Sequence, residues 1–445
     1  MLLKKYPASS IAAIAALLIT PSVWAADTLT DALTGGKASA NLQYRYEDVR
    51  NAATTANTAT ASTVRLRLGY ETATFNGFGA MVEAESLRAV GGRNYNSTAN
   101  GLTTYATVAD PEATEMNQAY LSYSGIANTT AKWGRQRIKL DNDRFIGNVG
   151  WRQNEQTFDS FTIVNKSLPS TTLTAGYITN VNRVFSDNSL TPTTFATAGN
   201  AKMRSPIFNV NYKGWSFAEV VGYAYLLDYA PSNIAAFNAF STNTYGLRLN
   251  GSAPMGGNKL LYTAEFAQQS DASSNTINFK TNYTLLEGGV DVTNVAVFKL
   301  GYEVLGTDTG ATTKATGATV VNGTTAGKSF STPLATLHAF NGWADMFLAT
   351  PTQGLKDAYV SANTKLAGIG LGAVYHDYTA DKTSTAGLTS SKLGNEWNLI
   401  ATKVFDKNYT LGLKYADYKA KGTTGTTFAT NVNTKKTWLW GEFKF

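Results

Sequence analysis

The chain of 445 residues contains no cysteine, which excludes disulfide scaffolds and thiolate metal sites. Histidine is nearly missing as well: His338 and His376 stand alone, and the sequence places no metal-ligand set or catalytic triad beside either. Charged residues make up 16%, and the formal net charge of +7 is too small to argue for nucleic acid. A spanning helix needs about 20 consecutive apolar residues. No segment approaches that, and mean hydropathy is −0.18. Helix-length stretches and solenoid repeats are not seen either, and a large secreted β-sandwich or β-helix is disfavoured.

What is present is aromatic and glycine-rich: 39 Gly, and 12% Phe, Trp and Tyr. The two ends are distinctive. Lys4 and Lys5, the apolar run Ile11–Ile19 and then Val23-Trp24-Ala25 predict a signal peptide over residues 1–25, cleaved before Ala26. Its removal takes the formal charge from +7 to +5. At the other end, "TWLWGEFKF" alternates and stops on Phe445. That ending resembles the signal by which the barrel-assembly machinery recognises bacterial outer-membrane barrels; an ordinary edge strand is the alternative. Export plus a terminal aromatic strand points to the Gram-negative outer membrane.

The chain between the ends reads as the all-β pattern of a transmembrane antiparallel β-barrel: segments of about ten residues that alternate in hydrophobicity. In "TVRLRLGYE", Val64, Leu66, Leu68 and Tyr70 share one face and Arg65 and Arg67 the other. An arginine facing mid-membrane lipid costs ~2–4 kcal/mol, so Arg65 and Arg67 are expected inside. By the same alternation Arg45, Glu83, Glu85, Arg248, Lys299, Glu303 and Lys414 face inward. About 18 such strands begin near residues 40, 63, 78, 116, 129, 156, 171, 205, 215, 243, 259, 278, 294, 356, 368, 395, 408 and 436. Short connections such as 75–77, 213–214 and 406–408 are expected on the periplasmic side. Thr/Asn/Gly/Ala-rich stretches at 51–62, 89–114, 180–203, 307–340 and 419–435 are expected as extracellular loops. A barrel of this size encloses a polar lumen too wide for wall side chains to fill.

"RQRIKLDNDR", residues 135–144, carries a density of charge found nowhere else. Trp133 and Arg135 share the odd positions, while Lys132 and Ile138 share the even ones, so neither face is consistent throughout. A bulge at Gly134 would exchange the faces and send Lys132, Arg135 and Arg137 to the lumen. The alternative leaves the arginines at the outer interface, against lipopolysaccharide phosphates.

The stretch "WGRQRIKLDNDRFIGNVGWRQNEQTFDSF" (133–161) closely resembles the signature of the alginate export family of outer-membrane porins, and "FSTPLATLHAFNGWADMFLATPTQGLKDAY" (330–359) is similar to a second family block. The resemblance runs from about residue 38 to the end. It implies an 18-stranded, monomeric barrel with an arginine-rich constriction for anionic polysaccharide. On that basis Arg135, Arg137, Arg144 and Arg152 are pore or constriction residues, with Asp141, Asp143 and Asp159 as counter-charges; Arg65 and Arg67 join them from the wall. Every periplasmic connection is short, a departure from a secretion channel with a long periplasmic plug loop.

The loops near 139–155 and 307–354 are expected to fold inward, with Trp151 or Trp343 packing one against the other. The function expected is passive passage of anionic or polar solutes, such as acidic oligosaccharides including alginate, with no cofactor and no metal. A general small-solute porin and a non-conducting adhesin are the alternatives. An outer-membrane hydrolase is disfavoured, because in "VYHDY" His376 and Asp377 are adjacent strand residues and point to opposite faces.

Overall fold

A computed structural model describes residues 26–51, 57–192, 194–232, 234–322, 325–383, 391–421 and 432–445; the expected signal peptide lies outside these residues. One antiparallel sheet of 18 strands dominates. The first nine strands are β1 (Lys37–Asn51), β2 (Ala59–Glu71), β3 (Phe78–Asn94), β4 (Ala113–Tyr123), β5 (Thr129–Gln136), β6 (Thr157–Asn165), β7 (Thr171–Asn182), β8 (Asn200–Tyr212) and β9 (Ala218–Leu227). The remaining nine are β10 (Thr242–Met255), β11 (Asn258–Asp271), β12 (Lys280–Val292), β13 (Ala296–Leu305), β14 (Leu355–Leu366), β15 (Ile369–Thr379), β16 (Lys392–Phe405), β17 (Tyr409–Ala420) and β18 (Thr434–Lys444). Each pairs with its sequence neighbours, and β1 pairs with β18 from Asn41↔Lys444 to Asn51↔Thr434. The sheet therefore closes on itself, which removes the edges that would otherwise expose unpaired backbone to lipid.

Alternation sets the two faces. On β2, Arg65 and Arg67 are buried while Leu66 and Leu68 are exposed; on β3, Glu83 and Glu85 are buried while Phe78 and Val82 are exposed. Turns follow backbone chemistry. Gly256 and Gly257 both have positive φ (53° and 85°), as do Asn76 and Gly77 (50° and 83°), the geometry that a two-residue hairpin needs to match strand twist. Long connections leave the opposite end. The strands overrun some expected loop limits: β3 continues to Asn94 and β8 starts at Asn200, so the loops expected from 89 and up to 203 are shorter.

Strand β5 departs from expectation. Trp133 pairs with Leu121 and Phe161, and Arg135 with Ala119 and Asp159, with no register shift at Gly134. Trp133, Leu121 and Phe161 are exposed, so the whole odd face of β5 points outward and takes Arg135 and Asp159 with it. Gly134 does have φ +129°, a conformation that favours glycine, and a Cβ there would also sit 2.9 Å from Tyr120 Cα. Arg135 tolerates its position because it lies at the outer end of the strand. There Asp159 (2.7 Å) and the Met116 carbonyl (3.0 Å) satisfy its guanidinium. The faces exchange one step later, where the strand ends and Gln136 and Arg137 both turn inward.

Candidate functional site

The loop between β5 and β6 (residues 137–156) and the second half of the loop between β13 and β14 (330–354) pack against the inner wall and against each other. Leu334 is the strap. Ile146 forms a parallel bridge with it, and Gly147 N and Gln156 Nε2 both donate to its carbonyl, at 2.9 and 3.0 Å. Thr336 N donates to the Asp143 carbonyl, and Val149 N to Thr336 Oγ1. Trp151 stacks on His338 with centroids 4.5 Å apart, an inter-loop contact made through Trp151 rather than Trp343. Glycine at 147 is required by this closeness, since a Cβ would run into Thr336 Oγ1 of the other loop and fall 2.7 Å from Asp143 Cβ. Asp141, Asp143, Asn341 and Asp345 take left-handed backbone angles, which Asp and Asn tolerate best.

Apolar contacts seat the first loop from below. Phe145 lies within 5.1–6.1 Å, centroid to centroid, of Tyr223, Tyr225, Tyr283 and Phe330. Ile138, Ile146 and Phe158 belong to the same buried cluster.

Ions fix the other side. Arg67 binds Glu85 and, at 3.5 Å, Glu155; Arg137 binds Glu83 and Glu155. Arg65 and Arg67 donate to the Gln153 carbonyl, and Arg45 donates to that of Trp151 while lying 4.3 Å over its ring. Arg152 contacts Glu47 (2.9 Å), Asp345 (3.3 Å) and Asp110 (4.0 Å). Lys436 reaches Asp345 at 2.7 Å. Lys414 sits over the Trp151 and Trp343 rings and donates to His338 Nε2 at 3.0 Å, so His338 Nδ1 carries the proton donated to Asp345. Burial pushes the His338 imidazole down to about 3, and Lys414 adds to this against the opposing pull of Asp345. Burial also disfavours the Glu155 anion, but Arg137 and Arg67 outweigh it and hold the carboxyl far below its ordinary value.

The ring is close to balanced in charge. Six cations (Arg45, Arg65, Arg67, Arg137, Arg152, Lys436) meet seven carboxylates (Glu47, Glu83, Glu85, Asp110, Glu155, Asp345, Glu442).

The family described as "Alginate export" matches residues 37–317. The chain belongs to the alginate export family. No curated protein sequence matches it. Solved structures share the fold at low identity. The Pseudomonas aeruginosa protein OccK5 (OpdH) aligns with TM-score 0.64 at 13% identity over 92% of this chain and 98% of that one. Acinetobacter baumannii OccAB4 gives the same figures. P. aeruginosa OpdK, solved with vanillate, gives 0.63 at 11% identity over 92% and 98%. The molecule has the architecture of an outer-membrane porin.

Within this alginate-export barrel the anticipated site residues separate into groups. Arg45, Arg65, Arg67, Glu83, Glu85, Arg137 and Arg152 come together in the ring. Arg144 is held apart from it, on Glu303 (2.7 Å) and Asn341 (3.1 Å) and over the Phe340 ring. Arg248 pairs with Glu265 and Lys299 with Glu287 on the far wall. Asp141 and Asp143 do not pair with the arginines as expected: Asp141 accepts from Asn209 and Tyr225, and Asp143 pairs with Lys139. Glu155, Asp110, Asp345 and Lys436 were not anticipated. Glu155 lies within the 133–161 stretch, where a carboxylate among arginines was the available signal.

Proposed function

We propose that the protein is a passive channel for small polar and anionic solutes, with loop 137–156 forming the constriction. One observation carries this reading. Of the five ring arginines, Arg137 has 29% of its side chain exposed, while the others have 2–10%. Arg45, Arg65, Arg67 and Arg152 thus serve to rivet the loop, and Arg137 is the guanidinium within a solute's reach. Eight strands further round the circuit, Lys299 (22% exposed) pairs with Glu287 (17%), which also accepts from Tyr359 Oη. Charges of both signs on facing walls create a transverse field that orients polar solutes. Arg137 offers a fork for one carboxylate at a time.

Family membership favours acidic sugars among these solutes, including alginate oligomers. The nearly balanced ring and the short periplasmic turns favour short ones over a polymer. In the same reading the barrel is a monomer in outer-membrane lipid, exported through residues 1–25 and assembled through its Phe445 strand. Its work is diffusion rather than chemistry. Liposome swelling tests it: monosaccharides and uronic acids should enter reconstituted liposomes faster than protein-free ones, with entry falling steeply for longer oligomers. Equal rates with and without protein would refute the channel.

A further inference from the structure

The outward face of β17, β18 and β1 changes character along its height. At the periplasmic end the register aligns Tyr409, Phe443 and Leu42; two rungs up it aligns Leu413, Leu439 and Tyr46. Next come Tyr415, Thr437 and Asp48, and then, at the outer end, Asp417, Lys435 and Arg50, with Lys419 one step beyond. Arg50 and Lys435 are directly opposed on neighbouring strands and face the same way. Like charges so placed destabilise a sheet unless something negative lies over them. The carboxylates at hand do not cancel them: Asp48 pairs with Arg50 (2.8 Å), while Asp417 is shared between Lys419 (3.2 Å) and Lys435 (3.7 Å). Three cations against two carboxylates leave a net positive patch, and its basic side chains are 49–69% exposed.

We propose that this patch is a binding site for the phosphorylated glycolipid of the outer leaflet. The phosphates lie across Arg50, Lys435 and Lys419, and the acyl chains run down the apolar rungs Leu413–Leu439–Tyr46. The order of the rungs matches the order of groups in such a lipid: charge at the outer boundary, hydrocarbon directly beneath. A soluble phosphate would use the cations alone and give the apolar rungs no role. Arg135 is the contrasting case, equally high on the wall but already neutralised by Asp159.

The test uses the full barrel in detergent, with bisphosphorylated lipid A and its phosphate-free counterpart as probes, and native mass spectrometry as readout. Wild type should retain the phosphorylated form and lose the phosphate-free form. Equal retention of both would overturn the proposal without any variant. Near a membrane surface each basic residue contributes about fivefold to anionic lipid binding. The triple variant R50Q/K419Q/K435Q should therefore bind on the order of a hundredfold more weakly, and R135Q within about twofold of wild type. Undiminished binding by the triple variant, or an equal loss in R135Q, would overturn the assignment. R50Q alone, with an expected loss of about fivefold, serves if the triple variant does not fold.

Discussion

Replacing Glu155 with Gln should loosen the constriction loop while leaving the barrel closed. One oxygen of Glu155 accepts from Arg137 and from Asn117 (2.6 Å), the other from Asn148 (2.6 Å), and Arg67 lies 3.5 Å away. Glutamine has nearly the same volume and can keep Arg137 and Asn117 on its carbonyl. Its amide nitrogen then meets the Asn148 amide, donor against donor, and the countercharge to two arginines is gone. Breaking a buried ion pair costs ~3–5 kcal/mol. Arg137 and Arg67 retain Glu83 and Glu85, so the lower figure applies. About 3 kcal/mol multiplies the undocked fraction of the loop on the order of a hundredfold. The closed 18-strand ladder does not pass through this residue and should be unaffected. In single-channel recordings E155Q should show larger conductance or frequent excursions to it, while its heat-modifiable gel shift stays that of wild type. A folded E155Q with wild-type conductance and noise would refute the idea that this carboxylate anchors the constriction.

Four further outcomes follow from the same geometry. R137Q should move the reversal potential toward cations, most at 0.01 M salt where the Debye length is roughly 30 Å, whereas R135Q should leave it unchanged because that side chain faces outward. Deleting 141–150 should raise conductance in a barrel that still folds, and unchanged conductance would place the loop outside the ion path. Acid should undock the loops through His338: the docked imidazole is pushed to about 3 and a released one titrates near 6.5, so docking is strongest above 6.5 and weakens as pH falls toward 3. At pH 5 this amounts to about 2 kcal/mol, visible as added channel noise that H338Q should abolish.

The strand pattern could be read in the sequence because alternation is local and lipid penalises a charge on the wrong face. The loops could not be read the same way. Arg144 finds Glu303 at a separation of 159 residues, and Arg152 finds Asp345 at 193. No periodicity encodes such pairs. Arg135 shows a second limit: alternation assigns a face, but not the height along the wall. At mid-membrane an outward arginine would be costly, whereas at the rim beside Asp159 it is satisfied, so the charge itself could not reveal which way it pointed. Lys414 was placed inside by alternation, yet its ammonium meets Trp151 and Trp343 from two different loops, partners that only the tertiary fold brings together.

The division between apolar and ionic contacts explains why the loop is held in this way. Phe145 and its aromatic neighbours would bury their surface in several orientations, because apolar attraction has no direction. The guanidinium–carboxylate ring admits few. Such rings are poor sources of stability, since replacing a buried ion pair with apolar groups is often neutral or stabilising by about 1–4 kcal/mol. Position is what they supply. With Arg67, Arg137 and Arg152 each bound by at least two carboxylates, the backbone from Gln153 to Glu155 has one place to sit. That fixes the loop in one position against the wall, and it uses nearly all of the ring's positive charge in doing so. On the proposed reading, selectivity for anions therefore rests on Arg137 and a few wall lysines rather than on the number of arginines in the ring.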